Sequence, residues 1–270
     1  MRLLTITGAL MLGLSTASAS ADGRWRLAGP GGGGWIQSVC ASPHDADELF
    51  VGCDVGGFYR SADGGRSYRI HNTGMEGQWV ECIVPHAADP SIITIGCLSG
   101  VYRSTDRGAT WRWLRNGFPA PERYRWSAPI GALVADPTDP DVLYAGIGCP
   151  RRGAWGQGAV YRSRDGGDSW ALANAAGQLP EDVLISDLLV DPRDPAHLHL
   201  ACPEGVFQSF DRAETWRKTS EGLPHPHVRR IARCRDVPDR MYLTLRSPPG
   251  RELLQLWAFP RGRRLGPPGP

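Results

Sequence analysis

The stretch YRSRDGGDSW, residues 161–170, is the clearest copy of a ten-residue phrase that occurs four times in the chain. The other three copies are YRSADGGRSY at residues 59–68, YRSTDRGATW at residues 102–111 and FQSFDRAETW at residues 207–216. Successive copies are 43, 59 and 46 residues apart. A period in the mid-forties is typical of stacked or radial β architectures, in which each repeat forms one supersecondary unit.

A second pattern precedes each copy of the phrase. Strand-length runs rich in β-branched and aromatic residues, such as VLYAG at residues 142–146, follow turns rich in Pro and Asp, such as DPTDP at residues 136–140. One unit therefore reads as strand, Pro/Asp turn, strand, Gly loop, strand, Ser-x-Asp turn and strand, with no helical period. The sequence predicts an all-β propeller of four-stranded antiparallel blades over residues 22–245. We expect four clear units and a partial fifth, in a ring that can be incomplete.

The repeated phrase resembles the Asp box of BNR-repeat propellers. In such a turn the Asp carboxylate accepts hydrogen bonds from backbone N–H groups of its own turn, and Gly adopts angles that other residues resist. We therefore expect a purely structural role for the four box aspartates, which are Asp63, Asp106, Asp165 and Asp211. The fourth copy has Ala213 where Gly is expected, so we predict that its turn is distorted.

Composition excludes several classes of protein and site. The 270 residues include 34 Gly, 23 Pro and 10 Trp, with only 21% charged residues, which does not fit a coiled coil, a helical bundle or a charged disordered chain. A net charge of +2 is too small to predict binding to nucleic acid or to an anionic membrane. The G-x-G-x-x-G match at residues 29–34 precedes a strand, so no cofactor is expected. The pairs His197/His199 and His225/His227 lack an evident third ligand, so no metal site is expected either.

The two ends of the chain differ from the repeats. Arg2, an apolar run over residues 3–14 and small residues over 15–21 form a secretory signal pattern, with cleavage options after Ala19 or Ala21. Residues 1–21 are therefore predicted to be a signal peptide, and the protein is expected to be secreted or periplasmic. Residues 246–270 are rich in Pro, Gly and Arg and are predicted to form an irregular tail.

Seven cysteines would be notable in an exported protein, and an odd number leaves at least one unpaired within the chain. Cys40 with Cys53, and Cys82 with Cys97, can face each other on neighbouring strands. Buried free thiols that pack as small apolar side chains are an equal alternative, and the sequence does not choose between them.

Strand alternation assigns the loops to two rims. The Asp boxes and the Pro/Asp turns share one, the Asp-box rim. The opposite one, the loop rim, carries the loops and links at residues 31–35, 54–57, 71–79, 117–129, 149–158 and 202–205. Variable loops on a rigid scaffold often carry function, and aromatic side chains can pack on the apolar faces of sugars. The predicted substrate-binding residues of this rim are Trp35, Tyr124, Trp126 and Trp155.

The first unit resembles the first blade of glycoside hydrolase family 74, the xyloglucanase-type enzymes. The resemblance rests on GGGGWI at residues 31–36 and FVGCDVGGFYR at residues 50–60, and it extends over residues 28–216. It implies a β-glucan-type polysaccharide as the ligand or substrate and makes Asp54 a candidate catalytic carboxylate. Cys53 stands where the family has Thr.

Inverting hydrolysis needs two carboxyl groups about 6.5–9.5 Å apart. In family 74 the second comes from a second propeller, which these 270 residues do not contain. Glu204 is the candidate partner in this chain, and Glu76 and Glu122 lie on the same rim. The alternatives are a non-catalytic propeller that binds a glycan or a protein, sortilin-like or assembly-factor-like, or a fragment of a larger hydrolase.

Overall fold

The computed structural model describes residues 29–30, 34–119, 128–148, 158–174, 178–180, 184–234, 241–245 and 255–258. These residues form nineteen strands in five antiparallel sheets, and the described part of the chain contains no helix. It therefore also contains no helix long and apolar enough to cross a membrane.

The strands of each sheet follow one another in chain order. The first sheet consists of β1 (Ile36–Ala41), β2 (Leu49–Cys53), β3 (Gly57–Ser61) and β4 (Arg69–Ile70). The second consists of β5 (Val80–Pro85), β6 (Ile93–Cys97), β7 (Gly100–Ser104) and β8 (Arg112–Leu114). The third consists of β9 (Ile130–Ala135), β10 (Leu143–Ile147), β11 (Val160–Ser163) and β12 (Ala171–Leu172). The fourth consists of β13 (Asp187–Asp191), β14 (Asp194–Cys202), β15 (Gly205–Ser209) and β16 (Arg217–Lys218). The fifth consists of β17 (Val228–Arg233), β18 (Met241–Leu245) and β19 (Gln255–Ala258).

The sheets are arranged as blades. The first strand of each sheet contacts the first strand of the next, from β1 through β5, β9 and β13 to β17. Apolar side chains fill the spaces between neighbouring sheets, as where Phe50 and Phe58 of the first pack with Ile95 and Tyr102 of the second. The predicted all-β, propeller-type fold with four four-stranded units and a partial fifth is confirmed. Strand β19 lies inside the predicted tail, so the boundary predicted at residue 245 is too early.

Each Asp box is held by its own side chains. In the first, the Ser61 hydroxyl and the Ser67 N–H donate to Asp63 Oδ1 at 2.8 and 2.9 Å, and the Ser67 hydroxyl donates to Oδ2 at 2.6 Å. These bonds, with those from Ser67 dominant, lower the pKa of Asp63 to about 2. The box also lies against the Pro/Asp turn, because the Gly64 N–H donates to the carbonyl of Asp47 at 2.9 Å.

The fourth box keeps the same hydrogen bonds despite Ala213. The Ala213 N–H donates to Ser209 Oγ at 2.9 Å, and the Thr215 N–H donates to Asp211 Oδ1 at 2.8 Å. The predicted distortion of these bonds is not found. Instead, Arg212 and Ala213 adopt φ values of 61° and 73°, in the left-handed region that costs a residue with a Cβ about 1 kcal/mol or more.

Neighbouring blades are tied together at the Asp boxes. Arg103 Nη1 donates to the carbonyl of Gly166 in the next box at 3.1 Å, and Arg162 Nη1 donates to that of Arg212 at 2.9 Å. In the first blade, the equivalent Arg60 instead pairs with Glu48, in the turn just before β2 of the same blade. The arginine of the repeated phrase therefore serves the contact between blades in the second and third units.

The links between blades make a second recurring contact. The Trp111 and Trp170 N–H groups donate to the carbonyls of Thr73 and Asn116, each at 2.9 Å. A Gly follows each of these link residues, and a Cβ added at Gly117 would lie 1.7 Å from the carbonyl oxygen of Trp170. Close approach of the two backbones therefore requires Gly at this point in the link.

The described cysteines form no disulfide. Cys40 lies opposite Phe50 in the strand register, and Cys82 lies opposite Gly96, so neither suggested pair is in register. All six cysteines in the described ranges are free thiols, and Cys149 lies outside those ranges. The structure thus supports the alternative in which these residues pack as small side chains.

The junction of the fourth and fifth blades contains ionisable groups. Arg233 forms a buried ion pair with Asp191 and contacts His199 Nε2 at 3.0 Å. Desolvation lowers the pKa of His199 to about 3. Asp187 accepts the Ile231 N–H at 2.9 Å, and burial raises its pKa to about 6.

Substitution of Gly117 by Ala is expected to destabilise the fold by about 3 kcal/mol or more, because the new Cβ meets backbone atoms that cannot move away. The control is Gly222→Ala, which has a similar positive φ of 85° but nothing within 4 Å of the added Cβ. The control should lose only about 1 kcal/mol. Urea unfolding measures the free energy of unfolding that each variant loses. Equal losses in the two variants would contradict a steric role for Gly117 in the link.

The raised pKa of Asp187 predicts a pH-dependent effect of Asp187→Asn. The folded protein binds a proton at Asp187 more tightly than the unfolded chain does, so this group favours folding below about pH 4 and the benefit disappears as the pH rises through about 6. The stability of the variant relative to wild type should therefore improve by about 2 kcal/mol between pH 4 and pH 7. Denaturant titrations at several pH values measure this difference. The exposed Asp194→Asn should show no such trend, and a flat profile for Asp187→Asn would refute the interpretation.

Candidate functional site

Asp54 lies on the loop rim, directly after β2. Its N–H donates to the carbonyl of Trp35 at 3.1 Å, and the Trp35 N–H donates back to Asp54 Oδ1 at 2.8 Å. This reciprocal pair connects the loop between β2 and β3 to the segment that leads into β1. It fixes one oxygen of the carboxylate relative to the sheet.

The backbone part of this contact recurs in other blades, but the carboxylate does not. The Leu98 N–H donates to the carbonyl of Trp79 at 3.2 Å, and the Gly148 N–H donates to that of Pro129 at 2.7 Å. In the fourth blade, Pro203 follows β14 at the equivalent place. Among these four equivalent positions, all within the described ranges, only the first blade has an acid.

Two residues, Gly34 and Cys53, lie close to the carboxylate of Asp54. Gly34 has a φ of 111°, and a Cβ there would lie 2.6 Å from Asp54 Oδ1 and 2.8 Å from Cys53 Sγ. The Cys53 thiol donates to the same Oδ1, with an S–O distance of 3.6 Å. Oδ1 therefore has two donors, whereas no described group donates to Oδ2, which leaves Oδ2 able to bind water or a ligand.

Apolar surface adjoins the carboxylate. The side chain of Trp35 is 67% exposed and that of Val55 is 61% exposed, and the two residues flank the Trp35–Asp54 contact in the chain. The structure thus brings together two of the residues predicted from sequence, Trp35 and Asp54. The other predicted aromatic residues, Tyr124, Trp126 and Trp155, lie outside the described residues.

Two of the candidate partner acids lie in other loops and links of the described chain. Glu204 is exposed in the short loop between β14 and β15, and Glu76 is exposed in the link between β4 and β5. Glu122 lies outside the described residues. Within the described ranges, the hydrogen bonds of Asp54 go to Trp35 and Cys53 and involve no second carboxyl group.

Glu81 was not identified from the sequence. It lies on β5 next to Val80, is half-buried, and its Oε1 accepts the Trp79 Nε1–H at 2.6 Å. The signal for it is the match between Trp79-x-Glu81 and Trp35-x-Gln37, which occupy equivalent places before the second and first blades. Asp187 differs from Glu81 in that both of its carboxylate oxygens accept backbone hydrogen bonds, from the N–H groups of Leu188 and Ile231. It therefore acts as a structural tie.

No group of three or more His, Cys, Asp or Glu side chains in the described ranges is arranged to hold a metal ion. The arrangement at Asp54 is a single oriented carboxylate beside exposed aromatic surface. Chemically, it can accept hydrogen bonds from hydroxyl groups or take a proton from water.

Comparison with known proteins gives relatives that point to one enzyme family, although no family model matches the chain. A xyloglucanase from a Paenibacillus species is 28% identical over 169 residues, which is 57% of this chain and 16% of that protein. An ancestral GH74 enzyme has a TM-score of 0.66 at 22% identity, covering 82% of this chain and 28% of the other. The GH74 xyloglucanase from Xanthomonas campestris has a TM-score of 0.62 at 21% identity, covering 87% of this chain and 38% of the other.

The chain resembles the propellers of GH74 xyloglucanases. The structural likeness shows the fold, and the sequence matches support a propeller related to glycoside hydrolases. The chain spans about one sixth of the length of the curated relatives, since 16% of each is matched.

Proposed function

We propose that the chain acts on a β-glucan-type polysaccharide at the part of the loop rim formed by Gly34, Trp35, Asp54 and Val55. The observation that carries the proposal is the Asp54 carboxylate, which is oriented by the Trp35 N–H at 2.8 Å and adjoins exposed aromatic surface. The likeness to xyloglucanase propellers supports this choice of ligand.

Asp54 suits the part of a general base or a sugar-binding acceptor. Its Oδ1 is occupied by the Trp35 N–H and the Cys53 thiol, which fixes the plane of the carboxylate. Its Oδ2 accepts no hydrogen bond from the described residues and can take a proton from water or accept a hydrogen bond from a sugar hydroxyl. Trp35 provides an apolar face against which a sugar ring can pack.

Hydrolysis by inversion would also need an acid about 6.5–9.5 Å from the base. Glu204 is retained as the proposed partner in this chain. Export remains part of the proposal, and the predicted signal segment at residues 1–21 lies outside the described residues.

A propeller that binds a glycan or a protein without turnover is the second candidate. One observation favours it, namely the single oriented carboxylate of Asp54 beside the exposed residue Trp35. A carboxylate and an exposed Trp are sufficient for recognition, whereas inverting hydrolysis needs a pair of acids.

The test is release of reducing ends from xyloglucan and other β-glucans, together with binding measured by affinity electrophoresis. We expect Asp54→Asn to lower hydrolysis at least about 100-fold, because a general base is lost while the Trp35 contact is kept. Trp35→Ala should weaken binding about tenfold through loss of packing area. Asp139→Asn, an exposed change on the Asp-box rim, is the matched control and should leave both unchanged.

The outcomes separate the two candidates. Hydrolysis that is lost in Asp54→Asn supports the hydrolase. Binding without reducing-end release, weakened in Trp35→Ala, supports the non-catalytic propeller. If the wild-type protein neither binds nor cleaves any β-glucan, the proposed function is wrong.

A further inference from the structure

The first strands of the five blades share a four-residue motif. The strand pairing aligns IQSV at residues 36–39, VECI at 80–83, IGAL at 130–133, ISDL at 185–188 and VRRI at 228–231. The first and fourth residues of every copy are aliphatic. In the first blade these two residues are Ile36 and Val39.

Ile36 and Val39 lie on the face of the first sheet that is turned away from the second sheet. Ile36 is paired with Cys53, and Val39 is paired with Val51. Phe50 packs against the second sheet, so its neighbour Val51 projects from the opposite face, because side chains alternate along a strand. We call the face that carries these four paired residues the leading face.

The first blade differs from the others in the exposure of the two aliphatic residues. Ile36 is 49% exposed and Val39 is 69% exposed. The residues equivalent to Ile36 in the other four blades are at most 2% exposed, and those equivalent to Val39 in the third, fourth and fifth blades are at most 7% exposed. Val51 and Cys53 are buried, so the exposed part of the leading face is β1. The first blade therefore keeps the aliphatic residues of a contact between blades where they remain exposed to solvent.

In the other four blades, the first residue of the motif fills a notch in the blade before it. The notches are formed by small residues of the second strands, Gly52, Gly96, Gly146 and Ala201, and they receive Val80, Ile130, Ile185 and Val228. A Cβ added at Gly96 would lie 2.6 Å from Ile130 Cγ2, and one at Gly146 would lie 2.4 Å from Ile185 Cγ2. A larger residue in the second strand would therefore exclude the aliphatic side chain of the next blade.

The fifth blade does not offer such a notch to Ile36. The strand pairing places Thr244 at the notch position, opposite Arg230, as Gly52 lies opposite Ser38 in the first blade. Thr has a branched, polar side chain where the other blades have Gly or Ala, and a charged Arg beside it disfavours apolar burial. The four notches of the earlier blades are already filled, so a second copy of this chain has no vacant notch either.

We propose that Ile36 and Val39 form a docking face for a propeller blade supplied by a different polypeptide. The partner that fits is an antiparallel sheet with Gly or Ala at the notch position of its second strand and with aliphatic residues around it. Such a sheet removes two exposed aliphatic side chains from water, which favours association. The docking face uses none of the residues proposed to contact a glycan, so this inference is independent of the proposed function.

The fit is tested by giving the leading face a blade whose notch is empty. A second copy of residues 34–77 is inserted directly before Gly34, which keeps the spacing between the natural first and second blades. Gly52 of the added copy then faces Ile36. We expect the Tm to rise by about 5 °C or more, because two aliphatic side chains become buried. A Gly52→Val change in the added copy alone should remove most of this gain, and circular dichroism measures both shifts.

Val39→Thr and Leu172→Thr form a matched pair, because Val39 and Leu172 are both exposed in the natural chain. In the natural chain we expect each to change the Tm by less than about 2 °C. In the extended chain, Val39→Thr should lower the Tm by about 3 °C or more, whereas Leu172→Thr should still have little effect. If the inserted blade gives no gain in Tm, or if the two substitutions remain equivalent in the extended chain, the leading face does not accept a blade and the inference is wrong.

The natural partner is identified by photo-crosslinking of the natural chain. The photoreactive residue p-benzoylphenylalanine replaces Val39, or Leu172 in the control, and the protein is irradiated in an extract of cells and medium of the source organism. Mass spectrometry then identifies the crosslinked peptides. A crosslink from position 39 to a Gly- or Ala-containing strand of another Asp-box chain supports the inference. A crosslink to a second copy of this chain, a crosslink within the chain, or no product beyond those of the control overturns it, and the proposed function stands in each case.

Discussion

The hydrogen bond from the backbone N–H of each box-terminal Trp to the preceding link is the contact on which the order of the blades depends. It occurs at Trp111, Trp170 and Trp216, with acceptors on Thr73, Asn116 and Gln178. Each bond joins the last strand of one sheet to the chain that leaves the sheet before it. The acceptors are backbone carbonyls at Thr73 and Asn116 and the side-chain oxygen of Gln178. Because the three Trp residues are buried, the link cannot move without leaving a backbone donor unpaired. The chain therefore places successive sheets side by side and brings their loops to shared rims.

The two rims differ in how much their side chains vary from one blade to the next. At the Asp-box rim, the four box carboxylates are bonded within their own turns, as the lowered pKa of Asp63 illustrates. At the loop rim, the backbone contact between loop and link is retained while the side chain changes, from Asp54 to Leu98 to Gly148. A single repeated backbone bond thus provides a position at which an acid can be introduced without disturbing the fold.

The fold could be predicted because its signals are local. The Ser, Asp and Gly residues of each Asp box specify a turn through hydrogen bonds between residues no more than four apart. Four such copies in the sequence identify the repeat. Asp54 became a candidate through the resemblance of residues 50–60 to the first blade of family 74, and its catalytic role stays a prediction. The Trp79–Glu81 hydrogen bond was missed because a register shift between Val80 and Cys82 is invisible in a pattern of apolar residues. The pKa of Asp187 is raised by burial at a contact between blades, which a local sequence pattern does not reveal. Strand β19 was missed because Pro and Gly near it suggested an irregular tail.

Gly34 bears on whether the first blade is specialised or only a copy of the others. The other blades form the loop-to-link bond without a carboxylate in contact, and Trp79 and Pro129 follow Gln78 and Ala128 rather than a glycine. Only in the first blade would a Cβ at this position lie within 3 Å of a carboxylate oxygen and a thiol. The fold alone therefore does not require this glycine. What requires it is its own φ of 111° together with the side chains of Val55, Asp54 and Cys53, which would lie within 3 Å of an added Cβ. The Asp54 carboxylate is thus one part of a local constraint that is found in the first blade.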